Sequence, residues 1–222
     1  KKESRRIYKE YRTSAKLASI KLIGVAGLCS GAGTTQMCIM LAVFMGKVLK
    51  KKTAVAGDEV TYSLMLRQMQ KAAAIQHKGI ASRHAYSMDG IDYYCGIRDE
   101  DIGILRQKYD VIILDISFEN TFDNTNVTFA RMVSRLSACD EKILAGSMLP
   151  WKSRECEKKM ERIERFLDIR GLKMVTLAAC DKEAVSIIKK HGVEVVLIPF
   201  ERNPFVISGE NLRSFLELLK IT

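Results

Sequence analysis

The sequence has no apolar run long enough to cross a bilayer, no paired cysteines and very little histidine. Its longest apolar run, Met37 to Met45, falls far short of the roughly 20 residues that a membrane helix needs. No basic-then-apolar secretory pattern is readable either. The six cysteines (Cys29, Cys38, Cys95, Cys139, Cys156 and Cys180) are scattered, with no C-x-x-C pair, and Cys38 and Cys180 lie in apolar surroundings. That usage predicts buried thiols in a reducing, cytoplasmic compartment, not disulfides or a zinc site. His77, His84 and His191 stand at no metal-ligand spacing, which argues against a histidine and cysteine metal centre.

What is present is an ordinary globular composition with an uneven charge. The 222 residues are 47% hydrophobic and 28% charged, enough to build and bury the core of one α/β domain. About half of the net charge of +10 sits in residues 1–16, which carry seven Lys/Arg against two Glu. Residues 1–19 therefore read as a basic leader, and 20–222 as a single domain without a linker or internal repeat. The leader is either a solvated lead-in or a contact for anionic membrane or DNA. The second of these would make the protein peripheral at a membrane.

From Ile20 onward, short apolar strands alternate with helices. Strands are expected at 20–26, 53–56, 91–97, 109–116, 141–147, 172–178 and 193–198. Helices are expected at 34–49, 63–70, 100–107, 127–136, 151–169, 182–190 and 209–221. Residues 72–88 carry too weak a pattern for either. The continuous apolar core of YDVIILDI, Tyr109 to Ile116, is that of a parallel strand covered on both faces. The 34–49 helix is apolar nearly all round, so it lies buried against a sheet. In the last helix Leu212, Phe215, Leu216 and Leu219 share a face, a spacing used by core packing and by membrane docking alike. Together these elements predict a three-layer α/β/α fold with a mainly parallel sheet.

The stretch Gly27-Leu28-Cys29-Ser30-Gly31-Ala32-Gly33-Thr34-Thr35 joins the first strand to the apolar helix. Strand, glycine loop and helix form the unit that sets phosphates on a helix N-terminus. Ligands of parallel α/β sheets bind at the C-terminal strand ends, where this loop, Asp58-Glu59 and Asp115 should meet. A P-loop reads G-x-x-x-x-G-K-[ST], and here the lysine position is Thr34.

This arrangement resembles the ParA/MinD-type ATPases of the SIMIBI class, whose deviant P-loop, roughly K-G-G-x-G-K-[ST], overlays on Cys29 to Thr35. Tyr109 to Asp115 resembles the Walker B strand, and Ile198-Pro199-Phe200-Glu201-Arg202-Asn203 resembles the family's segment near adenine. The resemblance implies a P-loop NTPase-like fold and ATP or ADP with Mg²⁺. It implies phosphate contacts from Ser30, Gly31, Ala32, Gly33, Thr34 and Thr35, and Mg²⁺ held by Thr35 and Asp115. Asp58 and Glu59 would stand for the switch carboxylates, and Pro199, Phe200 and Glu201 for the base pocket. Both family lysines are missing, at Cys29 and Thr34, and no asparagine stands at Ala178 or Ala179 for the base. Loss of one electrostatic group at such a site costs about 3–4 kcal/mol in the transition state.

The sequence is thus similar to a degenerate member of that family, of the TadZ/CpaE-type pilus localisation kind. That implies a positioning or assembly scaffold with protein partners and a homodimer, and no efficient ATPase. A weakly active ParA-like ATPase that binds DNA or membrane is the alternative. The loop also fits G-x-x-x-G-x-G of short-chain dehydrogenases, which bind NAD(P). Those enzymes need a Tyr-x-x-x-Lys pair, and no tyrosine here has lysine four residues on.

Overall fold

The computed structural model describes residues 19–57, 59–69, 72–76, 80, 84–116, 126–177 and 181–219. The basic leader, Asp58, the polar loop expected after Ile116, and Ala178 and Ala179 lie outside these residues.

Nine strands form one sheet: β1 (Leu22–Gly27), β2 (Thr53–Gly57), β3 (Ala73–Ile75), β4 (His84–Met88), β5 (Ile91–Cys95), β6 (Val111–Ile116), β7 (Glu141–Ala145), β8 (Lys173–Thr176) and β9 (Glu194–Leu197). The helices are α1 (Thr34–Val43), α2 (Glu59–Arg67), α3 (Asp99–Lys108), α4 (Asn126–Ser137), α5 (Pro150–Glu164), α6 (Lys182–Lys189) and α7 (Gly209–Leu218). The strand order is β3-β4-β5-β2-β6-β1-β7-β8-β9. β4 runs antiparallel to β3 and β5, and every other pairing is parallel.

The three central strands explain the apolar runs read from the sequence. Every residue of β1 and β6 is buried, so neither face of these strands meets water. Register puts Val25 beside Asp115 and Ala56 beside Leu114, which brings the ends of β1, β2 and β6 to one edge. The order also removes the dinucleotide reading. In a dinucleotide-binding sheet β1 and β2 are neighbours, whereas here β6 lies between them.

Four expectations need correction. The weakly patterned residues 72–88 contain β3 and β4. β4 hairpins onto β5 through Asp89 and Gly90, both at positive φ. A three-residue edge strand with two exposed alanines carries no period to read. The first helix does not run straight to residue 49: it opens at Phe44–Val48 into one π turn, with the Leu49 N–H donating to the Phe44 carbonyl at 3.1 Å. Gly46 sits in that turn, where a Cβ would stand 3.1 Å from Ile91 Cγ1, so close packing on β5 accompanies the widened turn. α2 starts at Glu59, four residues before the expected 63. α5 ends at Glu164 and not at 169; beyond it, Asp168 takes the Arg170 N–H at 3.0 Å, a local bond that competes with helical pairing.

The apolar face of α7 belongs to the core. Leu212, Phe215, Leu216 and Leu219 are all buried, and the Phe215 ring meets Phe44 at 5.4 Å. That leaves no apolar face on α7 for a membrane, and no helix among the described residues is long and apolar enough to cross one. α7 is therefore stapled to the π turn, and Phe215→Ala is expected to destabilise the protein by about 3–5 kcal/mol. Urea unfolding followed by circular dichroism checks this.

Candidate functional site

The site lies where the C-terminal ends of β1, β6, β7 and β8 converge. The loop leaves β1 at Gly27, and the Leu28 N–H donates to the Ala145 carbonyl at 2.8 Å, tying it to β7. Gly31 (φ +71°) and Gly33 (φ +78°) take left-handed conformations. Gly33 also packs closely, since a Cβ there would stand 2.5 Å from Leu177 Cδ1 and push that side chain aside. The Ala32 N–H turns inward to the Cys29 carbonyl at 3.2 Å and closes a tight turn before α1.

Two residues named from the sequence meet directly. Thr35 Oγ1 donates to Asp115 Oδ2 at 2.7 Å, across 80 residues of chain. The same oxygen accepts the Tyr62 hydroxyl at 3.0 Å. Asp115 is buried, and Tyr62 is wholly so, packed so closely that a Cβ on Gly57 would fall 2.2 Å from its ring. Burial, and then the Asp115 charge, push the Tyr62 phenol well above its ordinary pKa, so it stays a donor.

Thr34 does not stand in for a lysine. It is nearly buried, and its Oγ1 is the atom that a Cβ on Gly27 would meet at 2.5 Å, so the side chain lies against the end of β1. At the other lysine position Cys29 is hydrogen-bonded by the Cys156 thiol. That bond is the main cause holding Cys29 down at about 7, while Cys156 is pushed up. Cys156 Sγ also lies 3.7 Å from the Ser147 carbonyl.

Of the segment expected near a base, Phe200 shares a cavity wall with the loop. An open cavity of about 200 Å³ is lined by Gly31, Gly33, Gln36, Ser147, Thr176 and Phe200, among others. Gln36 Nε2 donates to the Glu201 carbonyl at 2.7 Å, tying the segment to α1. The Glu201 carboxylate faces the other way, towards α7: Oε1 accepts from the Ser208 N–H at 3.1 Å and Asn211 Nδ2 at 3.0 Å. Ser208 and Asn211 hold its pKa below the usual range. Phe200 is 62% exposed. Pro199 adjoins Ile198, whose N–H continues the β8 pairing to the Thr176 carbonyl at 3.0 Å. Of the expected switch carboxylates, Glu59 opens α2.

Sequence reasoning passed over four groups. Tyr62 fell just before the helix expected at 63–70, and Lys152 and Glu155 looked like surface charges. Thr176 is the fourth: it is fully buried, its Oγ1 has no hydrogen-bond partner, and it lines the cavity. The signal available for Thr176 was a lone hydroxyl ending an apolar strand at the ligand-binding edge.

Comparison with known proteins rests on structure alone, since neither a protein-family model nor a curated protein matches the chain. Among solved structures, the MinC:MinD cell division complex of Aquifex aeolicus superposes with a TM-score of 0.62 at 14% identity, over 90% of this chain and 94% of that one. MinD of Pyrococcus horikoshii, complexed with Mg-ADP, gives 0.56 at 16% identity, over 90% and 94%. A ParA family ATPase from Chlorobium tepidum gives 0.54 at 14%, over 91% and 97%. The fold is that of the MinD/ParA P-loop NTPases. At these identities the likeness is one of fold.

The Cys29 thiol bond gives a direct measurement. Among the described cysteines Cys38, Cys139 and Cys156 are shifted upward. Alkylation of the native protein by iodoacetamide, read by mass spectrometry, should therefore reach Cys29 ahead of Cys38, Cys139 and Cys156. Its rate should reach half its maximum at a lower pH than for an ordinary thiol, because the thiolate is the nucleophile. Cys156→Ala should move that midpoint upward.

Proposed function

We propose that this chain is a ParA/MinD-like nucleotide-binding protein that holds ATP or ADP with Mg²⁺ and serves as a positioning or assembly scaffold, not a motor. The observation that carries the proposal is the Thr35–Asp115 hydrogen bond at the foot of a glycine loop without lysine. Thr35 and Asp115 are the residue types a P-loop site uses for Mg²⁺, one by its hydroxyl and one through the water shell. The unpartnered Thr176 Oγ1 in the cavity wall also fits a polar ligand, since a buried hydroxyl without a bond costs about 1–3 kcal/mol.

In this reading the loop from Ser30 to Thr35 receives the phosphates, and Asp58 and Glu59 follow β2 as switch carboxylates. Phe200 offers an exposed ring beside Pro199 and Glu201 for the base. Mg²⁺, held by Thr35 and Asp115, would neutralise phosphate charge there. The chain's own residues do less than in an active relative: neither Cys29 nor Thr34 brings a cation to the charge that builds on the leaving oxygens. A missing contact of that kind lowers turnover by about two to three decades.

The role that follows is binding and docking: a second copy across the nucleotide and protein partners in a localised assembly of the pilus or secretion type. Contact with DNA or anionic membrane rests on the charge of residues 1–16 alone.

Isothermal titration with MgATP, paired with a phosphate-release assay, tests the reading. Saturable binding is expected, weakened by Thr35→Ala, with phosphate release about two to three decades below an ordinary ParA-type ATPase. Turnover equal to such an ATPase and abolished by Thr35→Ala would sink the scaffold role.

A further inference from the structure

The loop does have a cation, and it comes from another element. Lys152, in the first turn of α5, places Nζ 2.8 Å from Ser30 Oγ. The same ammonium meets Glu155 Oε2 at 3.1 Å, and Glu155 Oε1 accepts the Ser30 backbone N–H at 3.3 Å. Lysine, carboxylate and loop therefore form a closed ring on the rim of the cradle. Two parts of this ring have a meaning for a phosphate ligand. The Glu155 carboxylate accepts from a loop amide, which is what a phosphate oxygen does in such a loop. Lys152 holds a full positive charge beside that anion.

We infer that Lys152 is the phosphate-facing cation of this site, supplied by α5 in place of the loop lysines, and that Glu155 occupies the Ser30 amide until phosphate displaces it. This rests on the nucleotide reading above. Ser30 itself gains a reason: where a glycine would offer only its amide, the serine hydroxyl tethers the incoming ammonium. The Lys152 side chain is 28% exposed, and its ammonium makes both of its bonds at the open rim of the loop, where an incoming anion can reach it. A lysine on a flexible four-carbon stem serves as a point charge for phosphate wherever its backbone starts, provided the head arrives. Here it arrives from a helix that follows β7, a placement no loop motif would reveal.

The test is MgATP titration of the full chain by calorimetry, with a fluorescent ATP analogue read by anisotropy as an independent measure of affinity. Circular dichroism melts confirm that each variant is folded. Lys152→Met is expected to weaken binding on the order of tenfold to a hundredfold, as loss of a charge-assisted hydrogen bond does. Lys152→Arg should keep most of the affinity, and Glu155→Gln should tighten binding by removing the competing anion. Adding Thr34→Lys to the Lys152→Met variant should restore affinity, because it returns a cation to the loop itself. Wild-type binding that is unchanged in Lys152→Met overturns this inference and leaves the nucleotide reading standing. Glu155→Gln binding more weakly than wild type overturns the placeholder role. Wild-type protein that binds no MgATP overturns the nucleotide reading and this inference with it.

Discussion

The structure depends on β6 lying between β1 and β2. Parallel neighbours place their C-terminal ends on one edge, and each strand needs a crossover to return. With β6 in the middle, the loop after β1, the helix after β2 and the last residues of β6 emerge side by side. Thr35, Tyr62 and Asp115 then share one carboxylate oxygen, although 53 residues separate Tyr62 from Asp115 and 80 separate Thr35 from it. No local interaction sets this geometry. It follows from burying two strands on both faces, β1 and β6, beside α1, which is itself apolar nearly all round.

Much of this was legible in the sequence, and the parts that were not share a physical cause. Continuous apolar runs such as Val111 to Leu114 gave the central strands, and the glycine spacing gave the loop. Asp115 was readable because a carboxylate at the end of an apolar strand costs too much there without a partner. β3 and β4 left no trace of that kind: their residues are exposed or alternate over too few positions. Tyr62 was hidden because it fell just before the expected helix, and only the fold shows what its hydroxyl reaches. Lys152 and Glu155 were hidden for the opposite reason. On a helix whose outer face carries charges of both signs, two more charges are unremarkable until α5 is seen to begin beside Ser30.

The loop is held by uncharged side chains. At Cys29 stands a thiol paired with another thiol, and at Thr34 a hydroxyl folded against β1. Both are small enough to pack, so the loop is held from beneath by contacts to β7 and α5. Gly33 shows how closely: a Cβ there would push Leu177 aside. The turn's shape is thus secured by burial and by two left-handed glycines, independently of any ligand's charge.

The Tyr62 hydroxyl has one more consequence. Its pKa is raised by burial and by the Asp115 charge together, so the phenol keeps its proton and remains the donor. The bond to Asp115 therefore acts as a strut between α2 and β6. Drawing α2 outward would take the Tyr62 hydroxyl away from the buried Asp115 carboxylate, at a cost of about 1–3 kcal/mol for the unmade bond. The helix after β2 is in this way moored to the central strand by a single hydroxyl.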